Sequence, residues 1–123
     1  MLVVDAANVI GSRPDGWWRD RAGAAARFVG RVAAALQAGD LDPPVIVVLE
    51  GRSREAVSAG ATDVDGLEVV HAPGEGDDTI VEVTGSGEEA TVVTADRALA
   101  DRVRAVDAQV VGPRWLRSRL VDG

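Results

Sequence analysis

The sequence predicts a three-layer α/β/α sandwich around a central parallel sheet of about five strands, with residues 1–123 forming one domain. Three observations predict it. Short apolar, β-branched runs alternate with longer stretches of helical spacing, the pattern of successive βαβ units. None of those runs alternates cleanly between apolar and polar residues, which suits strands buried on both faces of a parallel sheet. And 123 residues, 46% of them hydrophobic, suffice for one core without staples.

The expected strands are residues 2–4, 45–49, 67–70, 91–94 and 109–111. The longest expected helix is 18–38, where Trp18, Ala22, Ala25, Val29, Val32 and Leu36 form one apolar stripe. Gly39 ends it, and Pro43 and Pro44 block any continuation. Shorter helices are expected at 53–58, 77–83 and 97–106. A last one, 113–120, opens on Pro113, a residue suited to the first helical position. Residues 85–87 (Gly-Ser-Gly) read as a turn, too short to separate domains. There is no internal repeat and no low-complexity tail.

Composition excludes several classes. There is no cysteine, so disulfides and thiolate metal sites are out. The single histidine, His71, argues against a zinc site built from several imidazoles. No basic segment followed by an apolar run opens the chain, and no apolar run is long enough to span a bilayer. A cytoplasmic setting fits. The net charge of -7 argues against a simple nucleic-acid binder. Against that, all 13 basic residues are arginine, the side chain suited to bidentate phosphate contact, although a GC-rich genome gives the same bias. A bound divalent cation would also cancel acidic charge locally.

The informative feature is where the aspartates fall. Asp5 directly follows the first strand, and Asp96 lies two residues beyond the fourth. Asp77 and Asp78 open a helix after the third, past Gly74-Glu75-Gly76. All four therefore belong to the carboxyl edge of the sheet, where open α/β sheets carry their ligand crevice. Taken singly, Asp77 or Asp96 reads equally well as a helix cap. Asp5 has no such common purpose at the end of a central strand. Carboxylates gathered without a cation raise one another's pKa, and an all-oxygen cluster suits Mg²⁺ or Mn²⁺. Such ions activate water and stabilise charge on phosphate.

Three segments in order resemble the PIN-like nucleases, specifically the NYN group and its YacP-like branch. They are LVVDAANVIGSRP at the start, GEGDDTIVEV in the middle and ATVVTADRALADRV later, and AQVVGPRWLRSRL fits the last strand and helix of such domains. The resemblance covers essentially the whole chain. It implies a sheet of order 3-2-1-4-5 and metal-dependent endoribonuclease chemistry on RNA. By position it implies Asp5, Asp78 and Asp96 as metal ligands, with Asp77 a ligand or a supporting acid. Asn8 would hold Asp5 or the substrate phosphate. Asp101 is a further candidate acid, although it falls five residues beyond Asp96, where helical geometry turns it away from a residue at the helix start.

Ser12 and Arg13, with Arg19, Asp20 and Arg21, flank Trp17 and Trp18 near the expected crevice, where they can contact backbone and stack a base. One tryptophan is expected to pack, as large aromatics usually do. Arg97 follows Asp96 and reads either as a phosphate contact or as a solvated helix residue. Arg114, Arg117 and Arg119 around Trp115 read as a charged helix face. His71 reads as structural. Gly74-Glu75-Gly76 is no phosphate loop, since no Gly-Lys-Ser/Thr follows.

The expected function is a Mg²⁺- or Mn²⁺-dependent endoribonuclease, with Asp5, Asn8, Asp78 and Asp96 at the reaction and Asn8, Ser12, Arg13 and Arg97 on the substrate. The alternative is a catalytically weak or inactive PIN-like module that binds RNA or a protein. A phosphatase or receiver of the haloacid-dehalogenase or response-regulator kind needs a late lysine, and the chain contains none. The sequence leaves open a homo-oligomer or a protein partner.

Overall fold

The structure, a computed structural model, describes residues 1–86 and 89–120. Gly87, the last residue of the expected 85–87 turn, lies outside the described residues. Among the described residues, six strands form one sheet: β1 (Leu2–Asp5), β2 (Val45–Leu49), β3 (Gly60–Ala61), β4 (Leu67–His71), β5 (Thr91–Val93) and β6 (Gln109–Val111). Their order is β3-β4-β2-β1-β5-β6. The five expected strands are all present in the order 3-2-1-4-5, and each adjacent pair is parallel. The addition is β3, a two-residue antiparallel edge that no apolar run announces.

Among the described residues, five α-helices connect and flank the strands: α1 (Ala6–Gly11), α2 (Arg21–Ala38), α3 (Gly76–Thr84), α4 (Arg97–Arg104) and α5 (Pro113–Arg117). Strand residues alternate between the two faces of the sheet. Leu2 and Val4 pack with residues of α1, α2 and α5, including Val9, Phe28 and Leu116. Val3 packs with Ile80 of α3 and with Leu99 and Val103 of α4 on the other face. Ile80 is fully buried, which contributes roughly 1.5–3 kcal/mol relative to exposure. Among the described residues, no helix is long and apolar enough to cross a membrane.

Four elements depart from expectation. The helix expected at 18–38 starts at Arg21. Asp20 leaves helical geometry and accepts the Gly23 N–H at 2.9 Å, while Trp17–Arg19 form a separate 3₁₀ turn. Gly39 ends that helix in the left-handed region, as expected. The segment expected at 53–58 is a 3₁₀ turn over Gly51–Ala56, and the last helix stops at Arg117. Finally, α1 follows β1 with no intervening loop, so Asp5 is both the last strand residue and the helix cap.

The chain runs outward from β1 through β2 to β4, then crosses back to β5 and β6. Strand order therefore reverses between β1 and β5, and the carboxyl ends of those strands border the switch-point crevice.

Candidate active site

Period-two alternation decides which side chains meet at this edge. Asp5 shares the phase of Val3, Glu50 that of Val48, and Thr94 that of Val92, all of which face α3 and α4. Register places these three strand ends side by side: Asp5 pairs with Val48 of β2, and Val4 with Val93 of β5.

Asp5 is the centre of the site. It is 6% exposed, one of the few buried polar side chains among the described residues. Its Oδ1 accepts the Asn8 N–H at 3.3 Å, and its Oδ2 accepts the Thr94 hydroxyl at 2.9 Å. Burial pushes its pKa up to about 6. The Thr94 and Asn8 bonds oppose that rise, and the charges of Asp77 and Glu50 add to it. Capping α1 is thus a structural duty for Asp5, but a neutral cap such as Asn or Ser performs it without the desolvation cost.

Asp96 ends the loop after β5 and caps α4 by accepting the Leu99 N–H at 3.1 Å. Its own N–H donates to Thr94 Oγ1 at 3.1 Å, so Thr94 ties Asp5 to Asp96. Asn8 adds a second tie across the same gap, since its Oδ1 accepts the Ala95 N–H at 2.8 Å.

Asp77 and Asp78 separate. Asp77 is half-buried in the first turn of α3, and its pKa is raised, first by burial and then by Asp96 and Glu50. The side chain of Asp78 is 88% exposed and pairs with Arg102 at 2.8 Å. Burial and charge coupling therefore put Asp77, rather than Asp78, with Asp5 and Asp96. Asp101 is exposed and sits 3.9 Å from Arg104, away from the cluster.

Two participants went unnoticed in the sequence. Glu50 follows β2 as Asp5 ends β1, and it accepts the Gly76 N–H, serving the start of α3 from another strand. Thr94 is buried and binds two of the acids' groups at once. Both are signalled by strand-end position and phase.

The remaining candidates lie further out. Ser12 closes α1, its hydroxyl donating to the Val9 carbonyl at 2.7 Å. Arg13 is exposed beyond it, and Arg97 is exposed at the first position of α4. His71 Nε2 lies 2.7 Å from the Val57 carbonyl, a structural bond at the far side of β4. Trp17 is half-buried and Trp18 is 48% exposed. A cavity of about 390 Å³ between Ala7, Ile10, Trp17, Arg21 and Glu50 adjoins the acids.

Three helix N-termini, those of α1, α3 and α4, open at this edge, and their partial positive charge offsets part of the acidic charge. Among the described residues, no three acidic side chains stand close enough to enclose a metal ion. The donor set is nonetheless all oxygen, partly desolvated and without a lysine or arginine against Asp5. That chemistry fits a hard cation which keeps several waters rather than one caged by protein alone.

Fold and site together define a mostly parallel α/β fold with an acidic switch-point crevice. No family model matches the chain, and no curated protein matches it. Among solved structures, the chain is similar to a crystal structure of a mutant of Rae1 (YacP) from Bacillus subtilis. The TM-score is 0.72 at 21% identity, covering 96% of this chain and 73% of that one. At this identity the likeness shows a shared fold.

Proposed function

We propose that the chain is a metal-dependent endoribonuclease, with Mg²⁺ or Mn²⁺ held by Asp5 together with Asp77 or Asp96 and completed by water. One observation carries the reading: the Asp5 carboxyl is buried at the switch point beside Asp77 and Glu50, whose charges add to the rise in its pKa. The motif resemblance to NYN nucleases suggests RNA as the substrate class, and the fold shared with Rae1 (YacP) is consistent with that reading.

A bound divalent ion supplies an activated water and stabilises charge on the phosphate. The chain's own residues prepare the site. Thr94 and the Asn8 N–H fix both oxygens of Asp5, leaving each a lone pair toward the crevice. Thr94 and Asn8 hold the Asp96 loop at a set distance from β1. Glu50 anchors the start of α3, which orients Asp77. Arg97 and the N-termini of α3 and α4 offer donors to a phosphate oxygen.

A second reading, a module that binds RNA or protein without turnover, is favoured by the absence of a closed three-acid cage among the described residues. Cleavage of a short single-stranded RNA with Mn²⁺ separates the two. The native protein is expected to cut, and Asp5→Asn and Asp96→Asn to lose most of that activity. Equal cleavage by all three removes the acids from the mechanism. Metal binding with no cleavage by the native protein favours the module.

A further inference from the structure

On the α1, α2 and α5 side of the sheet lies a second cavity, of about 270 Å³, which none of Asp5, Glu50, Asp77, Thr94 and Asp96 lines. Arg13, Arg27, Arg31 and Arg117 line it, with Asp15 the one acid and Trp17 forming part of its wall. Nearly a third of the chain's 13 basic residues thus surround one small concavity in a protein of net charge -7. Among the described residues, none of these four guanidinium groups forms an ion pair, although Arg102 and Arg104 elsewhere do.

A solvated helix face does not account for the arrangement. Arg27 and Arg31 stand four residues apart on α2, where like charges destabilise a helix. Arg117 is half-buried and tied down, its Nη2 donating to the Val9 carbonyl. Burial and the facing Arg13 push its pKa below the ordinary value, and Asp15 opposes that only in part. The cavity therefore holds concentrated positive charge that the fold leaves uncompensated. Guanidinium groups with no ion-pair partner among the described residues match the oxygens of a phosphate.

Position supplies the ligand's class. The cavity lies at the carboxyl end of α1 and the acids at its start, about 10 Å apart by helical rise. Trp17 walls this cavity and also the one that reaches Glu50. A short stretch of single strand can follow that path, stacking a base on the indole between the two ends. We propose that the Arg13–Arg27–Arg31–Arg117 cavity binds a backbone phosphate of single-stranded RNA next to the linkage held at the acidic site. The ribonucleotide identity rests on the proposed nuclease function, whereas the phosphate chemistry stands on the cavity itself.

Binding is measured in EDTA, so that cleavage plays no part. The probe is a fluorescein-labelled oligouridylate of about a dozen nucleotides, followed by anisotropy over a range of salt, with inorganic phosphate as a separate titrant. The Arg13→Gln/Arg31→Gln double variant changes two exposed side chains and is checked by circular dichroism. It is expected to bind at least about tenfold more weakly, with the salt dependence reduced by about one. Arg104→Gln, on the opposite face, is expected to stay within about twofold of native. Equal loss in both variants, or no binding by the native protein, overturns the proposal. Tight inorganic phosphate binding that the double variant abolishes while RNA binding persists overturns it in favour of a small-molecule site. Weak binding by the double variant supports it even if the native protein never cuts RNA. Native-rate cleavage by the double variant with Mn²⁺ counts against it while leaving the nuclease reading intact.

Discussion

The Thr94 hydroxyl donates to Asp5 Oδ2 at 2.9 Å, linking β5 to β1 at the point where strand order reverses. The same oxygen accepts the Asp96 N–H at 3.1 Å. One buried threonine therefore sets the relation between Asp5, which ends β1, and Asp96, which ends the loop after β5.

Thr94→Val removes both bonds while keeping the side-chain shape. A hydrogen bond to a charged group is worth about 1.5–3 kcal/mol, so urea unfolding at neutral pH should show a loss of that order. Because the Thr94 bond lowers the Asp5 pKa, the valine variant should titrate Asp5 above the native value of about 6. Thr94→Ser should restore both properties. Carboxyl NMR titration of the three proteins checks this, and an unmoved Asp5 pKa in the valine variant would refute the link.

Asp5 also makes stability depend on pH with a definite sign. Its folded pKa lies above the unfolded value, so the fold binds the proton more tightly. Below pH 3.8 both states are protonated and there is no penalty. As pH rises toward about 6, folding is increasingly penalised, and above it the full cost remains. A rise from 3.8 to about 6 corresponds to about 3 kcal/mol. In metal-free buffer, Asp5→Asn should therefore be more stable than native at pH 7.5, by up to about 3 kcal/mol, and lose that advantage near about pH 4. The groups facing Asp5 (Asp77, Glu50 and the Asp96 loop) are unchanged, so the difference reports Asp5. A stability difference constant with pH would contradict the assignment.

Asp77 and Asp78 should part company in activity. Asp77→Asn is expected to lower Mn²⁺-dependent cleavage by about ten- to a hundredfold, as loss of a metal-site carboxylate does. Asp78→Asn, which frees only an exposed pair with Arg102, should stay within about threefold of native. Steady-state rates on one RNA decide it, and the reverse ranking would restore Asp78 as the ligand.

Glu50 combines two effects that substitution separates. Glu50→Ala removes the acceptor for the Gly76 N–H and should cost about 1 kcal/mol, the usual worth of a helix cap. Glu50→Gln keeps an acceptor oxygen and removes a charge that pushes Asp5 up. It should leave stability near native and lower the Asp5 pKa. An unchanged Asp5 pKa in the glutamine variant would show that Glu50 does not couple to it.

The five strands and the placing of Asp5 and Asp96 at one sheet edge were legible from local pattern, apolar runs with acids one or two residues past them, whereas the strand order was implied by the resemblance to NYN nucleases. Strand phase carries the same information for Glu50 and Thr94, which a search for aspartates alone passes over. Other features depend on distant residues. The six-residue α1 is too short for a periodic signal and exists because Asp5 caps it and Val9 packs into the core. Whether Asp77 or Asp78 faces the crevice turns on where α3 begins, and Glu50 of another strand takes part in fixing that. The pairing of Asp78 with Arg102 joins two helices on one face. The shared Trp17 wall arises only once the 3₁₀ turn at Trp17–Arg19 separates from α2.

The central claim is that the Asp5-centred acids hold a divalent cation. Crystals soaked in Mn²⁺ and measured for anomalous scattering test it most directly. The account predicts a peak at metal–oxygen distance, about 2.0–2.2 Å, from Asp5 and from Asp77 or Asp96, completed by water. Its loss is expected in Asp5→Asn. Well-ordered carboxylates with no peak between them, or a peak on Asp78 alone, would contradict the account.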